Sequence, residues 1–352
     1  MLKIMKHSIT NYLSAGAVLL LLSSCKMSYV SINAMRPADI TVSEHIQKVT
    51  VAERIKPAKG YKLANAVEGI LSGEGLFEDR EAAPEAVSGL VNALVTTPRF
   101  KCTIMPGELL GTGGSILPPA LGWDEVKRIC YENNSDALIT LDIFDSDQST
   151  SIIEGTRETK NKEGVVKKVP EFTAQMNITV TCGWRIYDTL TQTIVDEARN
   201  VDSKMFEAKG DTRRAAEMGL PLKREAVKQT GYYSGNKYGS RISPSWIVLT
   251  RTYYKKGTDN FVMAKRFVRS QNWDSAAEAW KKELNNPNKK LGGYAAYNMA
   301  LASEIQGKID LAIDWADKAY EDYGNKKANY YAAQLRARKA DEALLDIQLK
   351  GK

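Results

Sequence analysis

Apolar and polar residues alternate strictly over residues 172–186. Successive side chains of a β-strand point to opposite faces, so this period of two predicts a long strand with one buried face. After a turn, residues 194–201 are predicted to return as its antiparallel partner. An almost continuous apolar run over residues 137–144 is typical of a strand that is covered on both faces.

Earlier segments show the spacing of three and four residues that is typical of amphipathic helices. They cover residues 61–71, 84–96 and 123–133, with short apolar strands predicted at 45–51 and 100–105. The polar stretch 146–170 is predicted to be a long hairpin excursion or a mobile loop. Further helical segments are predicted within residues 212–232. This order predicts an α+β or α/β domain over residues 41–256, with a mixed sheet and flanking helices.

The last part of the chain, residues 257–352, repeats itself at a spacing of 36 residues. Ala264 corresponds to Ala300 and Ala276 to Ala312, while Gln271 stands where the second copy has Gly307. Small residues at fixed points allow helices to approach closely, and the pattern resembles tetratricopeptide repeats. The alternative is a generic bundle of helical hairpins.

The first 25 residues follow the order of a secretory signal. Lys3 and Lys6 precede an apolar run of about eight residues, which is too short to span a membrane as a helix. The ending Leu22-Ser23-Ser24-Cys25 resembles the lipobox of bacterial lipoproteins, which implies removal of residues 1–24 and acylation of Cys25. An ordinary secretory signal with an incidental cysteine is the alternative.

Residues 25–40 show no helical period and contain Pro37, so we predict an extended tether between the lipid and the first domain. Removing residues 1–24 takes away two lysines and no acid, which lowers the formal net charge from +7 to +5. This mild charge does not predict nucleic-acid binding. No acidic run follows Cys25. In lipoproteins of the Bacteroidota type such a run accompanies surface export, so we expect an outer-membrane location facing the periplasm.

The first domain resembles the N-terminal domain of TolB and the core of CsgG-like envelope lipoproteins. Its element order over residues 45–200 carries the likeness, together with the run Asn134-Ser135-Asp136-Ala137-Leu138-Ile139-Thr140-Leu141. The whole mature chain is also similar to an uncharacterised family of Bacteroidota lipoproteins with a helical-repeat tail. Ile242-Ser243-Pro244-Ser245-Trp246 and Tyr294-Ala295-Ala296-Tyr297-Asn298-Met299-Ala300 are among the segments that carry this likeness. It implies an architecture and an envelope location, but no activity.

Few residues suit catalysis in the mature chain. His45 is its only histidine, and polar neighbours favour a structural role for it. Cys102, Cys130 and Cys182 lie in apolar patterns and are predicted to be small buried hydrophobes. A Cys102–Cys182 or Cys102–Cys130 disulfide remains possible in an oxidising compartment.

Three further features have both a chemical and a structural interpretation. Asp142, Asp145 and Asp147 follow the buried strand and could hold Mg²⁺ or Ca²⁺, although solvated aspartates at a strand end are favoured. The glycines of residues 111–114 lack the lysine of a phosphate-binding loop, so a structural loop is predicted. The aromatic residues of segment 232–273 are predicted to pack a domain junction rather than to bind protein or glycan.

These features predict a non-enzymatic envelope lipoprotein without a cofactor. Its expected partners are the lipid bilayer, through acylated Cys25, and another protein, through the groove of the helical repeats. A CsgG-like oligomeric pore component is the alternative function.

Overall fold

The computed structural model describes residues 27–58, 75–113 and 115–350. The chain divides into two compact units. The sheet unit contains Met35–Trp246 and the residues from Leu344, and the helical unit contains Ile247–Ala343 and the described residues up to Ala34. This division differs from the predicted domains 41–256 and 257–352. Along the chain, one strand before the sheet unit and one strand after it belong mainly to the helical unit.

The sheet unit is built on a five-stranded mixed sheet. Its strands are β2 (Lys48–Pro57), β3 (Lys101–Gly111), β4 (Ala137–Lys160), β5 (Val166–Asp188) and β6 (Thr193–Gly210). They are arranged in the order β3-β2-β4-β5-β6. β2 runs parallel to β3 and β4, whereas β4, β5 and β6 form an antiparallel meander. The predicted strands and the mixed sheet are confirmed, and β4 continues 16 residues past its predicted end at 144.

Helices pack on both faces of the five-stranded sheet. These helices are α1 (Gly75–Val95), α2 (Trp123–Glu132), α3 (Arg213–Met218) and α4 (Lys223–Ile242). α1 and α4 pack on one face in a core that contains Trp184 and Tyr238, whose rings stack 5.0 Å apart. α2 packs on the other face against Leu138 and Tyr187. The helix predicted at 61–71 lies outside the described residues.

α1 and α4 approach each other closely because glycines face the contact. A Cβ atom added to Gly235 would lie 1.8 Å from the backbone oxygen of Ala86, and one added to Gly89 would lie 2.0 Å from that of Tyr232. Gly231, Gly235 and Gly239 repeat every four residues and therefore share one face of α4. The apolar periodicity of the sequence did not indicate this contact.

The predicted tether contains a strand. β1 (Met27–Arg36) pairs with β7 (Ser245–Tyr254) in a two-stranded sheet. Val30 and Ile32 pack against the core of the helical unit, and Ala34 is buried. These three positions alternate with polar residues, so a period of two was present in the sequence and explains why the segment is ordered.

Five helices complete the helical unit. They are α5 (Asp259–Arg269), α6 (Trp273–Lys281), α7 (Lys289–Ile305), α8 (Ile309–Glu321) and α9 (Lys326–Leu349), whose last residues belong to the sheet unit. Ala264, Ala276, Ala300 and Ala312 are all fully buried, as expected if small residues mark the helix contacts of a 36-residue repeat. A C-terminal helical region with two successive helical hairpins is therefore present.

The turns inside the two hairpins have the same backbone conformation. Gln271 has φ of 58° and Gly307 has φ of 72°, so both residues are left-handed. This region costs a residue with a Cβ atom about 1–2 kcal/mol relative to glycine. The sequence correctly identified the two positions as equivalent.

Gln271→Gly is expected to raise the free energy of unfolding by about 1 kcal/mol, because it removes this cost. The reverse change, Gly307→Gln, is expected to lower it by a similar amount. A Cβ atom at position 307 meets no atom within 4 Å, so backbone strain alone acts there. Urea unfolding of both variants measures the effect, and a destabilising Gln271→Gly would contradict it.

Candidate functional site

The acylation site predicted at Cys25 lies outside the described residues. The first described residue is Met27, which begins β1 and lies two positions after Cys25. Within the described ranges, none of the helices is long and apolar enough to cross a membrane.

The three other cysteines are free thiols, so neither of the two disulfides that the sequence left open is formed. Cys130 and Cys182 are buried in the two cores of the sheet unit, as predicted. Burial raises the pKa of Cys102 and of Cys182 to about 12. The thiol form therefore dominates at neutral pH, and the thiolate that nucleophilic chemistry needs is scarce.

His45 is hydrogen-bonded to a buried carboxylate. Its Nε2 atom lies 2.9 Å from Oδ2 of Asp188, at the end of β5. Thr191 donates its hydroxyl to the same oxygen at 2.7 Å. Burial alone would raise the pKa of Asp188, but the hydrogen bonds from Thr191 and His45 hold it below its usual value. The pair joins the segment before β2 to the turn after β5, which is a structural role.

Asp142 is buried between two arginines and is not solvated, contrary to the interpretation favoured from sequence. Its Oδ2 atom accepts a hydrogen bond from Nη1 of Arg185 at 2.8 Å, and Nη1 of Arg54 lies 3.7 Å from Oδ1. The interpretation failed at Asp142 because that residue lies in the covered part of β4, whereas Asp147, further along β4, is exposed as expected. In the described part of the chain, Asp142, Asp145 and Asp147 do not form a group that could hold a metal ion.

The two arginines also hold the glycine-rich loop over the sheet. Arg54 donates from Nη1 to the backbone oxygen of Pro119 at 2.8 Å, and Arg185 donates from Nη1 to that of Pro118 at 2.6 Å. The loop is therefore a structural cover, as predicted. Sequence reasoning missed both arginines, although an isolated arginine within an apolar strand is itself a signal that a buried carboxylate is nearby.

One face of α7 is occupied by β7 of the same unit. Oδ1 of Asn298 accepts a hydrogen bond from the backbone N–H of Tyr254 at 2.8 Å, and its Nδ2 donates to the backbone oxygen of Tyr254 at 2.7 Å. Tyr254 also stacks on Tyr294, with ring centroids 3.7 Å apart. An extended strand therefore fills the surface that could have bound an extended peptide.

A buried carboxylate fixes the same strand. Glu304 on α7 accepts two hydrogen bonds from Arg251 of β7, from Nη2 at 2.9 Å and from Nε at 3.0 Å. Tyr331 and Arg338 of α9 donate to it at 2.6 and 2.8 Å. One carboxylate therefore links β7, α7 and α9, and nothing in the local sequence indicated it.

The aromatic residues of segment 232–273 do not form one group. Tyr238 lies in the core of the sheet unit, whereas Tyr253 and Tyr254 lie in the core of the helical unit. Trp246 is 60% exposed. Most of these residues therefore stabilise separate cores.

The most exposed feature of the sheet unit is a three-stranded extension, here called the arm. It consists of residues 145–160 of β4, 166–181 of β5 and 201–210 of β6. These strands pair continuously, from Asp145 with Thr181 out to Lys160 with Val166. The polar stretch 146–170 is thus a long hairpin, which is one of the two predicted alternatives.

The arm presents an open, mixed face. Ile153, Asn177, Val201 and Met205 share this face, because Ile153 pairs with Thr173 and Met205 with Asn177. Ile153 is 53% and Met205 is 57% exposed. The Thr179 and Ser203 hydroxyls lie 2.8 Å apart on the same face. A surface of small polar groups with isolated apolar side chains can contact a partner without being strongly hydrophobic.

The fold is that of a mixed α+β unit, followed along the chain by helical hairpins. The chain belongs to the family of the domain of unknown function DUF8603, whose model matches residues 46–254. A second domain of unknown function, DUF6340, matches residues 262–338. The first match covers the strands β2 to β7, and the second lies within the helices α5 to α9.

No curated protein matches the chain. A solved structure described as a "putative lipoprotein" from Caulobacter crescentus CB15 matches with a TM-score of 0.14 and 12% sequence identity. The match covers 33% of this chain and 72% of that one.

Proposed function

We propose that this chain is a lipid-anchored protein of the cell envelope that binds another protein, without catalysis, through its arm. Support for the anchor comes from the order of lysines, apolar run and small residues before Cys25. Cys25 would carry the acyl chains, which matches the outer-membrane location expected from sequence. Support for the binding role comes from the arm.

The observation that carries the binding role is the pairing of the arm strands. In the described part of the chain, β4 pairs with β2 only over Ala137–Leu141, and beyond that point it pairs with β5 alone. β6 pairs with β5 alone. The arm therefore has two edges whose backbone N–H and C=O groups can accept an added strand.

The helical repeats support this role less well than the sequence suggested. A tetratricopeptide-like array binds through the groove that its helices line. Here Asn298 already holds β7 against α7 through two hydrogen bonds. We therefore place the protein-binding surface on the arm. In this proposal the helical unit holds β1 and β7.

A CsgG-like pore remains the alternative function, and the arm is the hairpin that it would use. Seven of the 13 residues from 156 to 168 are charged. A charged side chain that faces lipid costs about 2–4 kcal/mol at the middle of a bilayer. The arm therefore suits an aqueous partner better than insertion into lipid.

In-cell photo-crosslinking tests the proposal. A crosslinking amino acid in place of Ile153 or Met205 is expected to yield one discrete adduct, because both side chains stand on the open face of the arm. A variant with residues 155–171 replaced by Asn-Gly ends the β4–β5 hairpin after the pair Glu154–Phe172. It keeps both crosslinking positions but shortens the free edge of β4, so the yield of that adduct should fall.

Tyr131 on α2 is the matched control, because it is 89% exposed and lies in the same unit. The same adduct from position 131 would show that the contact is not specific to the arm. Absence of an adduct from positions 153 and 205 would also refute the arm as the binding surface.

A further inference from the structure

Six cations of the helical unit are exposed or half-buried and lie near the end of β7, on α5 and at the start of α9. Lys255 and Lys256 directly follow β7, Lys265 and Arg269 lie on α5, and Lys326 and Lys327 begin α9. We call these six residues the basic surface. In the described ranges, no carboxylate pairs with any of them, although Asp259 lies in the first turn of α5.

Side-chain contacts bring the end of β7 and the start of α9 together beside Met27. Nζ of Lys327 lies 3.0 Å from the sulfur of Met27. Oδ1 of Asn325 accepts the backbone N–H of Lys327 at 3.2 Å and the hydroxyl of Tyr254 at 3.4 Å. Lys255 is the next residue after Tyr254, so the basic surface borders the point where the described chain begins.

The cations of the α5 side share one electrostatic environment. Arg269 is the main cause of a lowered pKa at Lys265, and Lys255 and Lys256 contribute to it. Unpaired like charges repel one another on a free surface. An anionic surface laid against them would relieve this repulsion.

The position of the anchor supplies such a surface. Only Lys26 lies between Cys25 and Met27, so two residue steps limit their distance to about 7 Å of extended chain. Charges separated by less than about 8 Å still interact at physiological salt. Because Met27 is held in β1, no long tether can carry the helical unit away from the bilayer.

From these contacts we infer that the basic surface binds anionic phospholipid headgroups and fixes how the helical unit meets the membrane. The inference rests on the lipidation of Cys25 in the proposed function. A polybasic patch beside an acyl anchor adds a second membrane-binding signal to the first.

Co-sedimentation with vesicles tests the inference without the anchor. The protein is the mature chain, residues 25–352, with Cys25→Ser. It is expected to bind vesicles of phosphatidylcholine mixed with phosphatidylglycerol and to dissociate from them as the salt concentration is raised. It should not bind vesicles of phosphatidylcholine alone. Removing three charges by Lys255→Gln, Lys256→Gln and Lys327→Gln should lower the partition coefficient by about 100-fold, since each basic residue contributes about fivefold.

The matched control removes three exposed lysines from the arm and its β4–β5 turn, by Lys162→Gln, Lys167→Gln and Lys168→Gln. An equal loss of binding in this control, or no binding of the starting protein to anionic vesicles, would overturn the inference. The mass of the N-terminal peptide from membrane-extracted protein reports acylation of Cys25 separately. Failure of the anchor and failure of the basic surface are thus distinguishable.

Discussion

Glu304→Ala is expected to lower the free energy of unfolding of the helical unit by about 3–5 kcal/mol. The carboxylate is 1% exposed and is the only acid within 4 Å of the Arg251 guanidinium among the described residues. Its removal leaves Arg251 buried without a counter-charge and deprives Tyr331 of its acceptor. Urea unfolding followed by tryptophan fluorescence reports the effect, because Trp280 is buried in the same unit.

Asp317→Ala is the matched control. Asp317 also pairs with an arginine, Arg336, at 2.6 Å, but both side chains are substantially exposed. Exposed pairs contribute about 0–1 kcal/mol. Similar losses from the two substitutions would show that burial of the Glu304 network is not what stabilises the unit.

The effect of Glu304 should depend on pH. Burial would raise its pKa, but Arg251, Tyr331 and Arg338 hold it below the ordinary glutamate value of 4.5. A lowered folded-state pKa contributes stability that is present above the unfolded-state pKa and is lost as pH falls through the folded-state pKa. The difference in stability between the wild type and Glu304→Gln is therefore expected to be constant down to about pH 5 and to shrink below it.

Gly235→Ala is expected to lower the free energy of unfolding of the sheet unit by about 3 kcal/mol or to prevent its folding. In an exposed helix the same change stabilises by about 0.5–1 kcal/mol. Here the new Cβ atom would lie 1.8 Å from the Ala86 oxygen and 2.7 Å from the Ala86 carbonyl carbon. The clash outweighs the helix propensity, because α1 and α4 must separate and expose the core between them.

A double variant identifies the cause. Ala86→Gly is not expected to rescue Gly235→Ala, because the closest atoms are the Ala86 backbone and not its methyl group. Gly122→Ala is the control for the loss of a glycine, since a Cβ atom there meets nothing within 4 Å. Circular dichroism and urea unfolding measure the stability of each variant. Full rescue by Ala86→Gly would contradict a backbone contact.

Several elements were readable from the sequence because their signal is local. The alternation over residues 172–186 predicted β5, and the apolar run 137–144 predicted the buried half of β4. The 36-residue repeat paired Gln271 with Gly307, and both residues are left-handed. In each case the pattern records which side chains are buried, and burial has a fixed period along a strand or helix.

The candidate binding surfaces were harder to predict from local sequence patterns. The outer half of β4 is polar on both faces, so its sequence resembles a loop, and only pairing with β5 makes it a strand. The segment predicted as an extended tether contains β1, whose short alternation was present in the sequence. β7 occupies one face of α7, which no repeat pattern reveals.

The sequence by itself predicted β2, β3, β5 and the buried half of β4, the helical hairpins with their buried alanines, and an anchor at Cys25. Only the tertiary structure decided that Glu304 meets Arg251 across 53 residues, that Asp142 lies between Arg54 and Arg185, and that β7 fills the face of α7. The physical reason is that periodicity reports how each segment meets the core, whereas the choice of partner depends on which distant surfaces come together. The basic surface belongs to the second kind of information, since it arises where segments far apart in the chain become neighbours. The arm is built from consecutive strands and depends on their pairing.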